Sequence, residues 1–302
     1  MLELKNIKKS FADKEVLKGI NITLNGGVVY GLVGENGAGK TTLLKIISQL
    51  LTKSSGEVII NGEIIDSLDQ AVKKLVLILD IPTMYEFLTC REYLEFLYSP
   101  QNLSRELLCE KINESLSQVN LLAAKDKRIK ALSRGMRQRL GIACGLINNP
   151  EIILMDEPCS ALDPLGRSEV LNIIENLKKE NKIVILSTHI LSDVEKVCDK
   201  VGLLIDGVIK VEGTVDEIIK EFSENLFKVS CDLEGVVRLV EFVSKSKFYK
   251  NCNVEKYGVD IMFEDGGKKE IMKLIASSGV DIDSIVLKKP TMDEIFILSK
   301  EN

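Results

Sequence analysis

Residues 34–41 read Gly-Glu-Asn-Gly-Ala-Gly-Lys-Thr. Glycines at 34, 37 and 39 can take backbone conformations closed to residues with a Cβ, so successive N–H groups can turn inward around an anion. Lys40 adds a point charge for the β and γ phosphates of a nucleotide, and the Thr41 hydroxyl can ligate Mg²⁺. The spacing is a complete G-x-x-x-x-G-K-[ST] phosphate loop, so the chain is expected to bind a nucleoside triphosphate. Gly34, Glu35, Asn36, Gly37, Ala38, Gly39, Lys40, Thr41 and Thr42 are the candidates for contacting it. Before the loop, residues 28–33 are a short apolar, β-branched run that reads as a buried strand; after it, residues 42–50 carry apolar side chains at helical spacing. The strand delivers the loop, and the helix N-terminus turns its dipole toward the phosphates.

A second set of residues lies downstream. Residues 132–139 read Leu-Ser-Arg-Gly-Met-Arg-Gln-Arg and lead into a helix from Leu140. Ser133 is placed as an N-cap, and its hydroxyl with the Gly135 amide makes a second anion site. The apolar run 152–155 ends in Asp156-Glu157, where Asp156 would hold Mg²⁺ through water and Glu157 would polarise an attacking water as general base. Ser160-Ala161-Leu162-Asp163 precedes Pro164, so Asp163 is a natural N-cap, a role that could by itself account for it. His189, the single histidine, closes the strand 182–186 at the ligand-binding edge of a parallel sheet.

The whole chain bounds what these groups can serve. Its 302 residues, 45% of them hydrophobic, suit about two packed domains. No apolar run approaches the roughly 18 residues needed to cross a bilayer, and the first residues lack the layout of a secretory signal, which places the protein in the cytoplasm. Seven scattered cysteines without a C-x-x-C pair read as reduced thiols. A net charge of −5 speaks against a nucleic-acid partner, and the basic tract 125–130 reads as solvated helix ends.

Residues 2–30 alternate apolar and polar positions around turns at 13–14 and 25–27, suggesting an antiparallel sheet, with further strands at 57–60 and 75–79. A helical insert follows at about 83–148. Strands 151–155, 182–187, 201–205 and 208–211 then alternate with helices 164–179 and 192–198, which implies a parallel sheet covered on both faces. From 222 to 302 the order is strand 226–232, helix 233–244, strands 249–255 and 259–263, helix 267–278 and strand 282–288. This is the ferredoxin-like plan, and a last helix capped by Thr291 with Glu294 follows it.

Taken in order, GENGAGKT (Walker A), LSRGMRQ (signature), IILMDE (Walker B with its glutamate), SALD (D-loop) and His189 (switch histidine) resemble the ATP-binding cassette family over residues 2–218. The resemblance implies an α/β P-loop NTPase cassette, residues 1–218, with a parallel-sheet core, an antiparallel β subdomain and the helical insert, and an accessory α+β domain at 222–302. It implies an ATPase using ATP and Mg²⁺, with Glu157 and His189 catalytic and Thr41, Asp80 and Asp156 toward the metal. Phe11 lies where the family stacks an aromatic on adenine; a buried strand-end phenylalanine is the other reading. By the same likeness two copies pack head to tail, and Ser133 and Gly135 act on the ATP of the partner copy. Asp80 replaces the usual glutamine or glutamate, and Arg134, Met136 and Cys159 also depart from the common pattern.

Three stretches, 80–94, 187–199 and 290–296, resemble the ATPase subunits of bacterial drug, bacteriocin and bacitracin exporters. They imply a homodimer, peripheral on the inner face of the cell membrane, that powers a permease carried on a separate chain. An importer subunit and an ATP-dependent regulatory switch with little hydrolysis are the alternatives. Met84, Tyr85, Phe87 and Leu88 suit an apolar groove for that permease, or else fill the core of the insert.

Overall fold

The computed structural model describes residues 1–12, 14–80, 83–98, 104–264 and 266–301, and divides into two compact units, Met1–Gly213 and Thr214–Asn302. Asp13, Ile81 and Pro82, quoted above in a turn and in the stretch after Asp80, lie outside the described residues. In the first unit β1 (Leu2–Phe11) and β2 (Lys14–Leu24) run antiparallel, with Leu2 opposite Leu24, Leu4 opposite Ile22 and Ile7 opposite Ile20. All six side chains are buried, the alternation expected of a sheet with one face on a core. Next come β3 (Val28–Val33), α1 (Lys40–Ile47), β4 (Ser55–Ile60) and β5 (Glu63–Ile64); β4 and β5 complete a sheet of order β2-β1-β4-β5.

β3 leaves that sheet, so residues 28–30 do not continue the antiparallel meander expected from their alternation. After α2 (Leu68–Ala71), the strands β6 (Leu75–Ile78), β7 (Ile152–Asp156), β8 (Ile183–Thr188), β9 (Lys200–Ile205) and β10 (Val208–Thr214) join β3 in the order β10-β9-β3-β8-β7-β6. β3 pairs in parallel with both β8 and β9, and β7 with both β6 and β8. Ile152, Leu154, Ile183 and Ile185 pack with α1 and the apolar face of the first sheet. Ile153, Met155, Val184 and Leu186 instead join the helical side. A strand buried on both faces needs an unbroken apolar run, which is how these segments read.

The insert holds α3 (Cys90–Tyr98), α4 (Arg105–Gln118), 3₁₀ turns at Leu122–Ala124 and Ile129–Ala131, and α5 (Arg134–Leu146); α6 (Pro164–Lys179) and α7 (Leu191–Val197) flank β8 in sequence. Its exposed and buried apolar residues separate the two readings given above. Met84 and Leu88 pack on the core, whereas Tyr85 and Phe87 are 50% and 68% exposed.

The second unit opens with α8 (Val215–Glu224), begun by a reciprocal cap between Thr214 and Glu217. β11 (Leu226–Ser230), α9 (Leu233–Val243), β12 (Tyr249–Glu255), β13 (Gly258–Phe263), α10 (Lys268–Ser277), β14 (Ser284–Leu287) and α11 (Met292–Glu301) follow. The sheet order β12-β13-β11-β14, antiparallel at each pairing, is ferredoxin-like. Phe227, Val229, Ile261 and Phe263 pack with Leu239, Val243, Ile271 and Ile275 of α9 and α10. Among the described residues no helix is long and apolar enough to cross a membrane.

Candidate nucleotide site

β3 ends in the middle of the parallel sheet and passes the chain into residues 34–39, after which α1 begins at Lys40. Gly37 and Gly39 have φ of +87° and +109°, a region that side chains other than glycine rarely adopt. A Cβ on Gly39 would lie 2.8 Å from Leu17, and one on Gly34 2.6 Å from the Leu204 carbonyl oxygen. One on Gly37 would meet nothing within 4 Å. The loop is therefore packed on the protein side and open on the other, which is the shape of an anion cradle.

Lys40 is buried, and its Nζ donates to the Gly34 and Glu35 carbonyls at 2.6 and 3.3 Å. It also lies 3.2 Å from Glu157 Oε1. That contact is one of charge only, because Oε1 is buried with no partner in hydrogen-bond geometry. Thr41 Oγ1 donates to Asp156 Oδ2 at 2.7 Å, and Ser187 Oγ donates to Asp156 Oδ1 at 2.6 Å. The Glu157 amide donates to both Ser187 Oγ and the Ser187 carbonyl, at 3.0 and 3.1 Å. Glu157 itself has φ of 48°, a left-handed conformation costly for a residue with a Cβ and found where neighbours over-determine it. His189 Nδ1 is 2.8 Å from Glu157 Oε2.

Lys40, Thr41, Asp156, Glu157 and His189 are thus brought into one place, at the carboxyl ends of β3, β7 and β8. Ser187 belongs with them and was passed over in the sequence. The signal was that of a polar residue closing an apolar strand; its pairing with Asp156 comes from the register. A buried ammonium, an open loop of amides and an orphaned carboxylate oxygen fit a triphosphate; the Thr41 and Asp156 oxygens fit a hard cation beside it.

The other candidates sit elsewhere. Ser133 caps α5, accepting from the Met136 amide at 3.2 Å. A Cβ on Gly135 would stand 3.4 Å from Gly166 Cα, so the N-termini of α5 and α6 adjoin. Asp163 caps α6 through the Gly166 amide at 3.1 Å. Asp80 Oδ1 accepts the Ser160 hydroxyl, which ties the end of β6 to the loop before α6. Phe11 is 46% exposed at the end of β1, with the Lys9 ammonium 4.8 Å from its ring centre. The reading of Phe11 as a buried core residue therefore falls: the strand ends at the surface.

A glycine loop between a parallel strand and a helix, with a carboxylate pair at the end of the strand one removed in the same sheet, defines a P-loop nucleoside triphosphatase. The family model described as "ABC transporter" matches residues 17–160, and that described as "ATP-binding protein DrrA1-3-like, C-terminal domain" matches residues 213–299. The lantibiotic transport ATP-binding protein SrtF of Streptococcus pyogenes is 36% identical over 226 residues, 75% of this chain and 94% of that protein. The bacitracin transport ATP-binding protein BcrA of Bacillus licheniformis is 29% identical over 301 residues, covering 98% of this chain and 96% of the relative. Among solved structures, an ATP-binding cassette captured as a dimer after hydrolysis, with ADP and Pi, is 27% identical with a TM-score of 0.63, covering 71% of this chain and 99% of that one. The chain belongs to the ATP-binding proteins of ABC transporters. It is an ATPase whose hydrolysis of ATP powers transport.

Proposed function

We propose that this chain is the ATPase subunit of an exporter whose membrane-spanning permease is a separate chain, and that it acts as a homodimer with ATP at two shared sites. The observation that carries the reading is the threefold hold on Glu157: Lys40 at 3.2 Å from one oxygen, His189 at 2.8 Å from the other, and the amide fixed on Ser187. Phe11 would stack on the adenine. The amides of residues 34–42 and Lys40 take the β and γ phosphates, and Thr41 and Asp156 would hold Mg²⁺, with the Asp80 carboxylate also within the proposal. When bound, the metal would polarise the phosphate oxygens as a Lewis acid. Glu157 orients a water in line with the γ-phosphorus and takes its proton as the new P–O bond forms and the bond to the β–γ bridging oxygen breaks. His189 holds the carboxylate in that direction.

The dimeric state of the cassette relative, and the second anion locus at Ser133 and Gly135, support sites completed by the partner copy. Asp163 and its loop would line the same interface. The transport named in the lantibiotic and bacitracin relatives supports an exporter, which would hold the chain against the inner face of the cell membrane through its permease.

Glu157→Gln should cut hydrolysis by about 10²- to 10⁴-fold and trap a dimer in ATP on gel filtration. A variant that stays monomeric and hydrolyses at the wild-type rate removes Glu157 from this role. For the permease, the exposed rings of Tyr85, Phe87 and Phe96, with Tyr85 centred 5.9 and 5.4 Å from the other two, offer an apolar surface. Glu86 beside them pairs with Arg137 of α5 at 2.6 Å, linking that surface to the helix capped by Ser133. Tyr85→Asp should spare ATP binding and lose co-purification of the permease; unchanged co-purification would sink the docking assignment.

A further inference from the structure

Asp193 is 1% exposed, yet the mechanism above makes no use of it. It stands in the first turn of α7, four residues after His189. Its Oδ1 accepts the Nε–H of Arg167, whose Nη2 donates to Ser192 Oγ at 2.9 Å. Its Oδ2 is buried with no hydrogen-bond partner, and a near neighbour is the Cys159 thiol, which burial and then the Asp193 charge push up to about 12. The thiol therefore stays protonated beside the carboxylate.

Three segments meet at this one side chain. Cys159 is two residues beyond Glu157, Arg167 lies in the first turn of α6 just past the cap Asp163, and Asp193 carries the helix that begins after His189. An ion pair with a buried carboxylate contributes little net stability, because desolvation offsets the attraction, and its use in such cases is to specify which elements meet. Here it joins the start of α6 to the start of α7, the helices that follow Glu157 and His189 in the chain, and those two side chains are 2.8 Å apart.

We propose that Arg167 and Asp193 are positioning residues for hydrolysis: their ion pair between α6 and α7 sets the distance and direction of His189 relative to Glu157. This rests on the hydrolytic role given to those two residues. Neither Arg167 nor Asp193 touches the reacting atoms; they act through His189.

The test uses the full chain with ATP and Mg²⁺. Asp193→Asn keeps the shape of the side chain and Arg167→Lys keeps the charge while losing the two-nitrogen fork. Each should lower kcat by about 10- to 100-fold, with KM for ATP within about twofold and a folded circular-dichroism spectrum. In a His189→Ala background, Asp193→Asn should cost less than about twofold more, since residues acting through one group are not additive. A full further loss in that background, or a change in KM alone, overturns the proposal. Should Asp193→Asn fail to fold, Arg167→Lys in the same two backgrounds decides by the same criterion. A wild-type chain that does not hydrolyse ATP would overturn the parent reading and this one with it; a hydrolysing wild type with multiplicative losses would overturn this one alone.

Discussion

Each unit of the molecule holds a lysine against carboxylate oxygen, Lys40 buried and Lys288 half-buried, and the two sites are built for opposite ends. In the first unit Lys40 meets loop carbonyls and a single carboxylate, Glu157, whose Oε1 has no hydrogen-bond partner. In the second, Lys288 reaches Asp260 Oδ2, Glu294 Oε1 at 2.6 Å and Glu255 Oε1 at 3.6 Å, while Lys228 pairs with the other Glu255 oxygen at 2.6 Å. Burial opposes the Lys288 charge, but the hydrogen bonds to Asp260 and Glu294 outweigh it and push its pKa up. Glu255, Asp260 and Glu294 have oxygens within 4.8 Å of one another, a spacing that would suit a metal ion. The ammonium of Lys288 already supplies the cation there. It ties β13 to α11, whereas Lys40 is left beside an open glycine loop with charge to spare for a phosphate. What separates a ligand site from a brace is thus not the residue types but how many partners each charge already has.

Substitutions at the two lysines should break along this line. Lys40→Met is expected to cost about 10²- to 10³-fold in hydrolysis and to shift the melting midpoint by no more than about 3 °C, read by phosphate release and circular dichroism. Lys288→Met takes the ammonium from Asp260 and Glu294, leaving Glu255 its pairing with Lys228, and should destabilise the second unit by about 3 kcal/mol, measured by denaturant unfolding, while hydrolysis per folded molecule is retained. If Lys288→Met abolished hydrolysis with its fold intact, the second unit would be more than a brace around this cluster, and the contrast would fail.

A third, smaller effect concerns Glu212, an exposed residue on β10 at the edge of the parallel sheet whose carboxyl is partly desolvated. The hydroxyl of Tyr30, a buried residue of β3, donates to Glu212 Oε1 at 3.2 Å. Burial holds the Glu212 carboxyl above its ordinary 4.5, against that hydrogen bond. A raised folded pKa gives stability that is fully present below the unfolded value and is lost as pH rises through the folded one. Glu212→Gln should therefore gain on the wild type as pH climbs from the acid side of that window toward neutral. The gain is about a few tenths of a kcal/mol after solvent screening. A difference in melting midpoint that does not grow between about pH 4 and 7 would remove Glu212 as its source.

Much of the site could be read before any fold was known, because its chemistry is written in short runs. Gly34 to Thr41, Asp156-Glu157 and the capping residues Ser133 and Asp163 are each decided within a few positions. Two helices show the opposite case. α8 has a capping box, Thr214 with Glu217, but its sequence sits at the junction between units. α2 spans only Leu68–Ala71, too short for a hydrophobic period to appear. Met84 and Leu88 turned inward while Tyr85 and Phe87 turned outward, a division that hydrophobicity could not make because all four are apolar.

By itself the sequence determined which groups stand at the carboxyl ends of strands and which at helix N-termini, since backbone order and side-chain period are local properties. It could not determine that Ser187 falls opposite Asp156, that Arg167 reaches Asp193, or that Lys40, Glu157 and His189 converge. Those depend on the register of β7 on β8 and on the placing of α6 beside α7. Such contacts between residues far apart in the chain are chosen by the packing of the whole sheet against two hydrophobic layers, and only the tertiary structure records that choice.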